Sequence, residues 1–357
     1  MPSFRENRLM LLEAFSNNLI NDDEFLLLYD LNKSNNLEIP YWNYEFHLDS
    51  MEDDECLSEF RFLKNDIYVL FDALEIAEEI KCENGFKVDG IEGLCIFLKR
   101  HAYPCRYVDM IPRFGRAIPQ LCMINNAVMN RVYTRWGFLL TSFNQDWLSS
   151  QKLLQYAQKV YNKGTPLDNC WGFVDGTVRP VCRPGVNQRV LYNGHKKVHA
   201  IKFQSVVTPN GIIANLFGPL EGRRHDSALL ARSGLLQDLQ QHSIAPNGDL
   251  LCIYGDPAYP LRQQLQRSFG GAHLTPDQRQ YNQAMSSVRV SVEWVFGDIV
   301  NYFKFLDFKK NLKIQLSAVG KMYIVCSLLQ NARSCFYGSM TSNFFDCEPP
   351  LLSNYFQ

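Results

Sequence analysis

Long apolar runs, basic residues near the start and regularly spaced cysteines are what this 357-residue chain has little of, and each scarcity excludes something. No stretch approaches the roughly 18 to 20 uninterrupted apolar residues of a spanning helix, so no membrane contact is expected. The opening MPSFRENRLMLLEAF lacks the basic, apolar, small-residue order of a secretory signal. The 11 cysteines are odd in number, scattered and nowhere spaced as C-x-x-C, so they read as reduced thiols of cytosol or nucleus. Residues 1–59 hold only 3 Lys and Arg against 14 Asp and Glu, a net of −11. With 36 basic and 37 acidic residues in the whole chain, residues 60–357 keep 33 against 23, or +10. The overall charge of −1 therefore averages an acidic leader and a basic body.

What is present suffices for a real core, since 46% of the residues are hydrophobic and the length allows two domains or one with an appendage. Residues 1–59 read as an acidic, partly flexible leader. Leu9 to Leu28 can make a helix or two there, and Asn32 to Glu59 reads as a mobile, solvated linker. From Phe60 onward, the spacing of Phe60, Leu63, Ile67, Leu70 and Leu74 predicts an amphipathic helix and the start of the folded body. Residues 60–160 read as a helical module. Within about 90–143, a helix from Gly90 stops near Tyr103-Pro104 and a short segment ends at Gly115. A longer helix then carries Leu121, Ile124, Val128 and Val132 on one face. The outline is that of a helix-turn-helix. Arg116 and Arg131, with Arg106, Arg113 and Arg135, add positive charge that suits DNA docking and suits equally a three-helix packing unit with solvated arginines.

Three isolated acids organise residues 165–340. The apolar run Trp171-Gly172-Phe173-Val174 delivers Asp175 onto Gly176 within a strand-like pattern. A carboxylate there is costly to bury alone, and a metal ion is the obvious partner. Asp256 ends the buried-strand pattern LLCIYGD, where an α/β enzyme exposes its chemistry, although an Asp before Pro257 is also a common turn residue. Glu293 borders the helical stripe of Val288, Val292, Val295 and Ile299, where a plain surface glutamate is the simpler reading. Two strands and a helix each bringing one acid is what a two-metal phosphoryl-transfer site requires.

The segment Arg179 to Arg224 holds Arg179, Arg183, Arg189, Lys196, Lys197, Lys202, Arg223 and Arg224, with Glu221 as its only acid. Placed on a meander turned at Thr208-Pro-Asn-Gly211, they would line a phosphate backbone. Asp226, in His225-Asp226-Ser227, is most simply a helix N-cap, and it is also the rival to Asp256 as second acid. His195 and His199, four apart on a strand, stand about 13 Å apart and make no zinc pair. Residues 341–357 are assigned to a C-terminal tail.

Taken together, WGFVDGTVRPVCRP, HKKVHAIKFQSVVTPNGIIANLFGPLEGRRHDSALL, LLCIYGDPAYP and VSVEWVFG resemble the DDE-superfamily nuclease domain of PIF/Harbinger transposases and of the domesticated Harbinger-derived nucleases. The resemblance covers roughly residues 60–335. It implies an α/β, RNase H-like fold, a central mixed sheet flanked by helices, preceded by the helical helix-turn-helix-like module. It implies Asp175, Asp256 and Glu293 as the catalytic residues and as ligands of Mg²⁺ or Mn²⁺, two ions in all. The activity implied is a DNA endonuclease or transposase that cuts element ends and can join them to target DNA. The alternative is a domesticated nuclear DNA-binding or scaffold protein without transposition. Double-stranded DNA, a homo-oligomer assembled on it, a Myb/SANT-like accessory protein and residence in the nucleus as well as the cytoplasm follow from the same resemblance. One departure stands out. The family carries basic residues soon after Glu-x-x-Phe-Gly, whereas this chain reads Gly297-Asp-Ile-Val-Asn-Tyr-Phe-Lys304, which implies weakened DNA affinity or strand transfer.

Overall fold

Amphipathic spacing and turn chemistry set the order of elements, which we follow in a computed structural model that describes residues 4–31 and 43–357. Helices α1 (Phe4–Ser16) and α2 (Asp22–Leu31) form a hairpin that leaves Leu9, Met10, Leu26, Leu27 and Leu31 exposed. Of the expected linker, residues 32–42 lie outside the described residues. Its remainder departs from expectation: Leu48 and Met51 are buried, and α3 (Asp53–Phe60) buries Cys56 and Phe60. The folded body thus begins before residue 60. Asp53, Asp54 and Glu55 occupy the first turn of α3, where carboxylates complement the positive end of the helix dipole, so an acidic run starts a helix instead of a solvated link. Helix α4 (Lys64–Ala73) then buries Ile67 and Leu70 as their spacing predicts.

Strands β1 (Glu79–Lys81) and β2 (Lys87–Asp89) make a small antiparallel ribbon. Asp89 caps α5 (Gly90–Ala102), its side chain accepting from the Glu92 amide at 2.9 Å. After the short α6 (Ile111–Phe114), α7 (Ile118–Trp136) buries Leu121, Ile124, Val128 and Val132, the face read from the sequence. Helix α8 (Ser150–Tyr161) leads into the main sheet.

At the centre of that sheet is β3 (Cys170–Pro180). After α9 (Gln188–Leu191) come β4 (Tyr192–Asn193), β5 (Val198–Val207) and β6 (Ile213–Glu221). The turn between β5 and β6 contains Gly211 at φ +78°, the backbone conformation expected of Asn-Gly. Helices α10 (Asp226–Ser233) and α11 (Leu235–His242) connect to β7 (Cys252–Gly255) and β8 (Leu265–Arg267). Strands β3, β5 and β6 pair antiparallel, whereas β7 and β8 add parallel on the other side of β3, giving the order β6-β5-β3-β7-β8 with β4 on the start of β5. Val174 lies opposite Gly255, so Asp175 and Asp256 leave adjacent strands at the same level.

Helix α12 (Pro276–Tyr302) opens on a reciprocal cap. The Gln278 amide donates to Thr275 Oγ1 at 3.2 Å and the Thr275 amide to Gln278 Oε1 at 3.1 Å. Its buried stripe, Val288, Val292, Val295 and Ile299, faces the sheet and carries Glu293 at its border. Helix α13 (Val319–Tyr337) is buried along most of its length and packs on α7, α12 and β6. The last residues are not a loose tail. In α14 (Met340–Phe345) and α15 (Leu352–Tyr355), Phe345, Leu352 and Tyr355 are buried, and Asn331 donates to Tyr355 Oη at 2.7 Å. The architecture is a mixed α/β body with a curled sheet flanked by helices, and one hydrophobic core runs from α3 through the sheet to α15. Among the described residues no helix is long and apolar enough to cross a membrane.

Candidate active site

Asp175 sits midway along β3 with its side chain only 17% exposed. Its Oδ1 accepts from the Gly176 amide at 2.8 Å and its Oδ2 from Arg289 Nη1 at 2.9 Å. Burial pushes its carboxyl up to about 6, against the opposing pull of Arg289 and Gly176, and the carboxylates of Asp256 and Glu293 add to the rise. The upward shift despite an ion pair says that desolvation outweighs the guanidinium. Asp256 and Glu293 thus lie within electrostatic reach of Asp175.

Asp256 emerges from β7 into a turn in which its Oδ1 accepts from the Ala258 amide at 2.8 Å and its carbonyl from the Tyr259 amide at 3.1 Å. Arg267 clamps that turn by donating to the Pro257 and Tyr259 carbonyls at 2.7 and 3.0 Å. Asp256 is therefore a turn residue, and it follows Gly255, which pairs with Val174, the residue before Asp175. Glu293 is 55% exposed, and its Oε1 lies 3.6 Å from Arg289 Nη2. One guanidinium thus spans Asp175 and Glu293. Arg289 escaped the sequence reading, yet it stands four residues before Glu293, the helical spacing at which an Arg and a Glu meet.

Asp226 does not cap α10 with its side chain; His225 holds the cap position without a side-chain bond. Instead Asp226 Oδ1 accepts from Lys202 Nζ at 2.5 Å, and that ammonium also donates to the Arg224 carbonyl at 3.1 Å. Asp226 presses on β3 so closely that a Cβ on Gly176 would lie 2.6 Å from its Oδ1. The tertiary pairing with a buried lysine won over the local cap. Tyr259 completes the cluster. Its ring is fully buried against Gly255, its hydroxyl has no hydrogen-bond partner among the described residues, and its acidity is lowered by burial first, then by Asp226, Asp175 and Asp256.

The proposed DNA-facing residues divide into two sets. Arg183, Lys196, Lys197 and Arg223 are exposed, and they sit at the end of the sheet where β3 finishes, β5 starts and β6 finishes. Asn193 ties those loops together by donating to the Gly222 carbonyl at 2.7 Å. The loop with Lys309, Lys310 and Lys313 joins the same end through the Cys182 amide, which donates to the Leu312 carbonyl at 3.0 Å. Others are committed within the protein. Lys202 is buried on Asp226, Arg224 pairs with Glu221 at 3.0 Å, and Arg179 donates to Thr177 and lies over Tyr323. Arg116 bonds Glu92 through two nitrogens at 2.5 Å, and Arg131 donates to the Glu75 carbonyl at 3.0 Å through its Nε.

Carboxylate oxygens are the hard donors that Mg²⁺ and Mn²⁺ prefer, and a buried phenol without a hydrogen-bond partner among the described residues, within electrostatic reach of three acids, is what a site needing a further polar occupant leaves behind. The donor set fits a divalent ion. The conformation differs from the expected ready cradle, because among the described residues no three His, Cys, Asp or Glu side chains close on one point. Arg289 takes the position between Asp175 and Glu293.

A family model described as DDE superfamily endonuclease matches residues 174–331, from the residue before Asp175 to Asn331 on α13. The match supports a DDE transposase-like family, with nuclease as the activity class and DNA as the substrate class. No curated protein and no solved structure matches the chain.

Proposed function

We propose that this chain is a divalent-metal-dependent DNA endonuclease of the PIF/Harbinger transposase type, built on an RNase H-like core. The observation that carries the proposal is the placement of Asp175 on β3 beside Asp256 at the end of β7, with Glu293 on α12 reached through Arg289. The sheet order β6-β5-β3-β7-β8, three antiparallel strands followed by two parallel ones, supports the RNase H-like reading. Asp175, Asp256 and Glu293 would hold the ions, two in this reading. When bound, such ions activate a water or a 3′-hydroxyl as nucleophile and stabilise the departing oxygen at a phosphodiester.

The chain's own residues do the positioning. Lys202 neutralises Asp226 and so keeps a fourth carboxylate against β3 without adding free negative charge beside Asp175. The Arg267 clamp fixes the turn that aims Asp256. Arg183, Lys196, Lys197 and Arg223 form a basic rim about 16 Å along β3 from Asp175, reckoned as five residues of strand, where a duplex backbone would lie. The α5–α7 region would dock DNA as a helix-turn-helix, although Arg116 and Arg131 are occupied and the contact would fall to other residues. Joining of cut ends to target DNA, assembly as a homo-oligomer, a Myb/SANT-like partner and residence in the nucleus belong to the same reading.

A second reading, a DNA-binding protein that no longer cuts, is favoured by the Arg289 bridge across the acids. Nicking of supercoiled plasmid in Mg²⁺, with and without chelator, separates the two. Chelator-sensitive nicking that disappears in Asp175→Asn, Asp256→Asn and Glu293→Gln is expected. Nicking unchanged in any one of them removes that residue from the triad, and no nicking by the unaltered protein supports the second reading.

A further inference from the structure

We propose that Arg289 is a built-in counter-cation that holds Asp175 and Glu293 in the metal-free protein, yields its place when a divalent ion binds, and then turns its guanidinium to a phosphodiester oxygen. The inference rests on the metal-dependent reading above and gives Arg289, there only a bridge between two acids, a part in metal and DNA binding.

Geometry carries it. Arg289 Nη1 lies 2.9 Å from Asp175 Oδ2 and Nη2 lies 3.6 Å from Glu293 Oε1, so a single positive group stands where positive charge is needed to hold two carboxylates together. Arg289 and Glu293 share one face of α12, one turn apart, and that helix packs on the sheet bearing Asp175. Asp175 Oδ1 accepts from the Gly176 amide and Oδ2 from Arg289, so a cation that uses Oδ2 competes directly with the guanidinium. A divalent ion on that oxygen would stand within a few ångströms of a fixed positive charge. The two repel, and one must leave.

Arg289 is free to be the one. Its guanidinium makes polar contacts to these two carboxylates alone among the described residues, whereas Arg61, Arg131 and Arg267 are each fastened to backbone carbonyls. Side-chain rotation releases it without breaking any backbone hydrogen bond. A guanidinium keeps its charge at every working pH and presents a planar fork of donors that matches phosphate oxygens. Metal and DNA therefore help each other bind: the ion evicts the arginine from the acids, and the phosphodiester gives it a new partner.

The test reads Mn²⁺ affinity from the loss of the free-ion electron paramagnetic resonance signal, on the full chain, with and without a blunt 20-base-pair duplex whose own Mn²⁺ uptake is subtracted. Removing a unit positive charge at this range is expected to tighten Mn²⁺ binding in Arg289→Gln by about tenfold without DNA. The duplex should raise the affinity of the unaltered protein and do so much less in the variant. Unchanged or weaker Mn²⁺ binding in a folded Arg289→Gln overturns the inference and leaves Arg289 a structural clasp. Should that variant fail to fold, Arg289→Lys decides. It keeps the charge and loses the fork, so it should lose the gain that DNA gives, and a retained gain overturns the inference. Failure of the underlying reading looks different: the unaltered protein would then show no bound Mn²⁺ that Asp175→Asn removes.

Discussion

A single methyl group on Gly176 probes the acid cluster without altering any acid. A Cβ there would stand 2.6 Å from Asp226 Oδ1 and 3.0 Å from its Cγ, so one side must move. Asp226 does not yield freely, since Lys202 Nζ holds its Oδ1 at 2.5 Å and the lysine side chain is only 7% exposed. Strand β3 does not yield either, being locked between β5 and β7. Removing one partner of a fully buried ion pair costs about 3–5 kcal/mol. Asp226 is 27% exposed, so solvent recovers part of that, and a loss of about 2 kcal/mol is expected for Gly176→Ala. For a chain of 357 residues that lowers Tm by about 3 °C. Calorimetry on Gly176→Ala, Asp226→Ala and the double variant closes a cycle. If the collision is the whole effect, Gly176→Ala costs less than about 0.5 kcal/mol once Asp226 is an alanine. An equal loss in both backgrounds would refute the packing of Asp226 on Gly176 and, with it, the picture of a fourth carboxylate kept beside the strand that carries Asp175.

Two further predictions concern buried polar groups. Burial holds the His101 imidazole down to about 4 from its ordinary 6.5, with the Phe97 carbonyl opposing the shift, and its Nε2 has no partner among the described residues. The unfolded chain takes up that proton near pH 6.5 and the folded chain only near 4. The stability attached to a neutral His101 is therefore complete above pH 6.5 and declines as pH falls, by about 3 kcal/mol at pH 4. Urea unfolding of His101→Leu against the unaltered protein should show a difference that shifts in the variant's favour between pH 7.5 and 4.5, and a constant difference contradicts the assignment. Tyr259→Phe removes a hydroxyl that satisfies no partner, so Tm should hold or rise while Mg²⁺-dependent nicking falls; a lowered Tm would mean that the hydroxyl is bonded after all.

Local pattern was legible wherever structure is local. The Pro-Asn-Gly turn, the stripe on α7, the strand ending at Asp256 and the stripe that places Glu293 all follow from the residue order alone. Pairings between distant residues were not. Lys202 and Asp226 are 24 apart and Arg289 and Asp175 114 apart, and no periodicity couples such positions. Charge without context misled in the same way. The acidic run before residue 60 reads as solvated linker until Cys56 and Phe60 are seen buried beneath it, and Arg116 reads as free positive charge until Glu92 is found against it. The β1–β2 ribbon escaped because strands of three residues leave no alternation to detect.

Enclosure of α13 bears on how the two halves of the chain respond to truncation. Its apolar sides are shared between α7 of the helical module and β6 of the sheet, and α15 shields another side. A fragment starting at β3 would bare the side that α7 covers and be expected to clump in water before it could be assayed. In the whole protein both halves close on α13, so each covers apolar surface of the other.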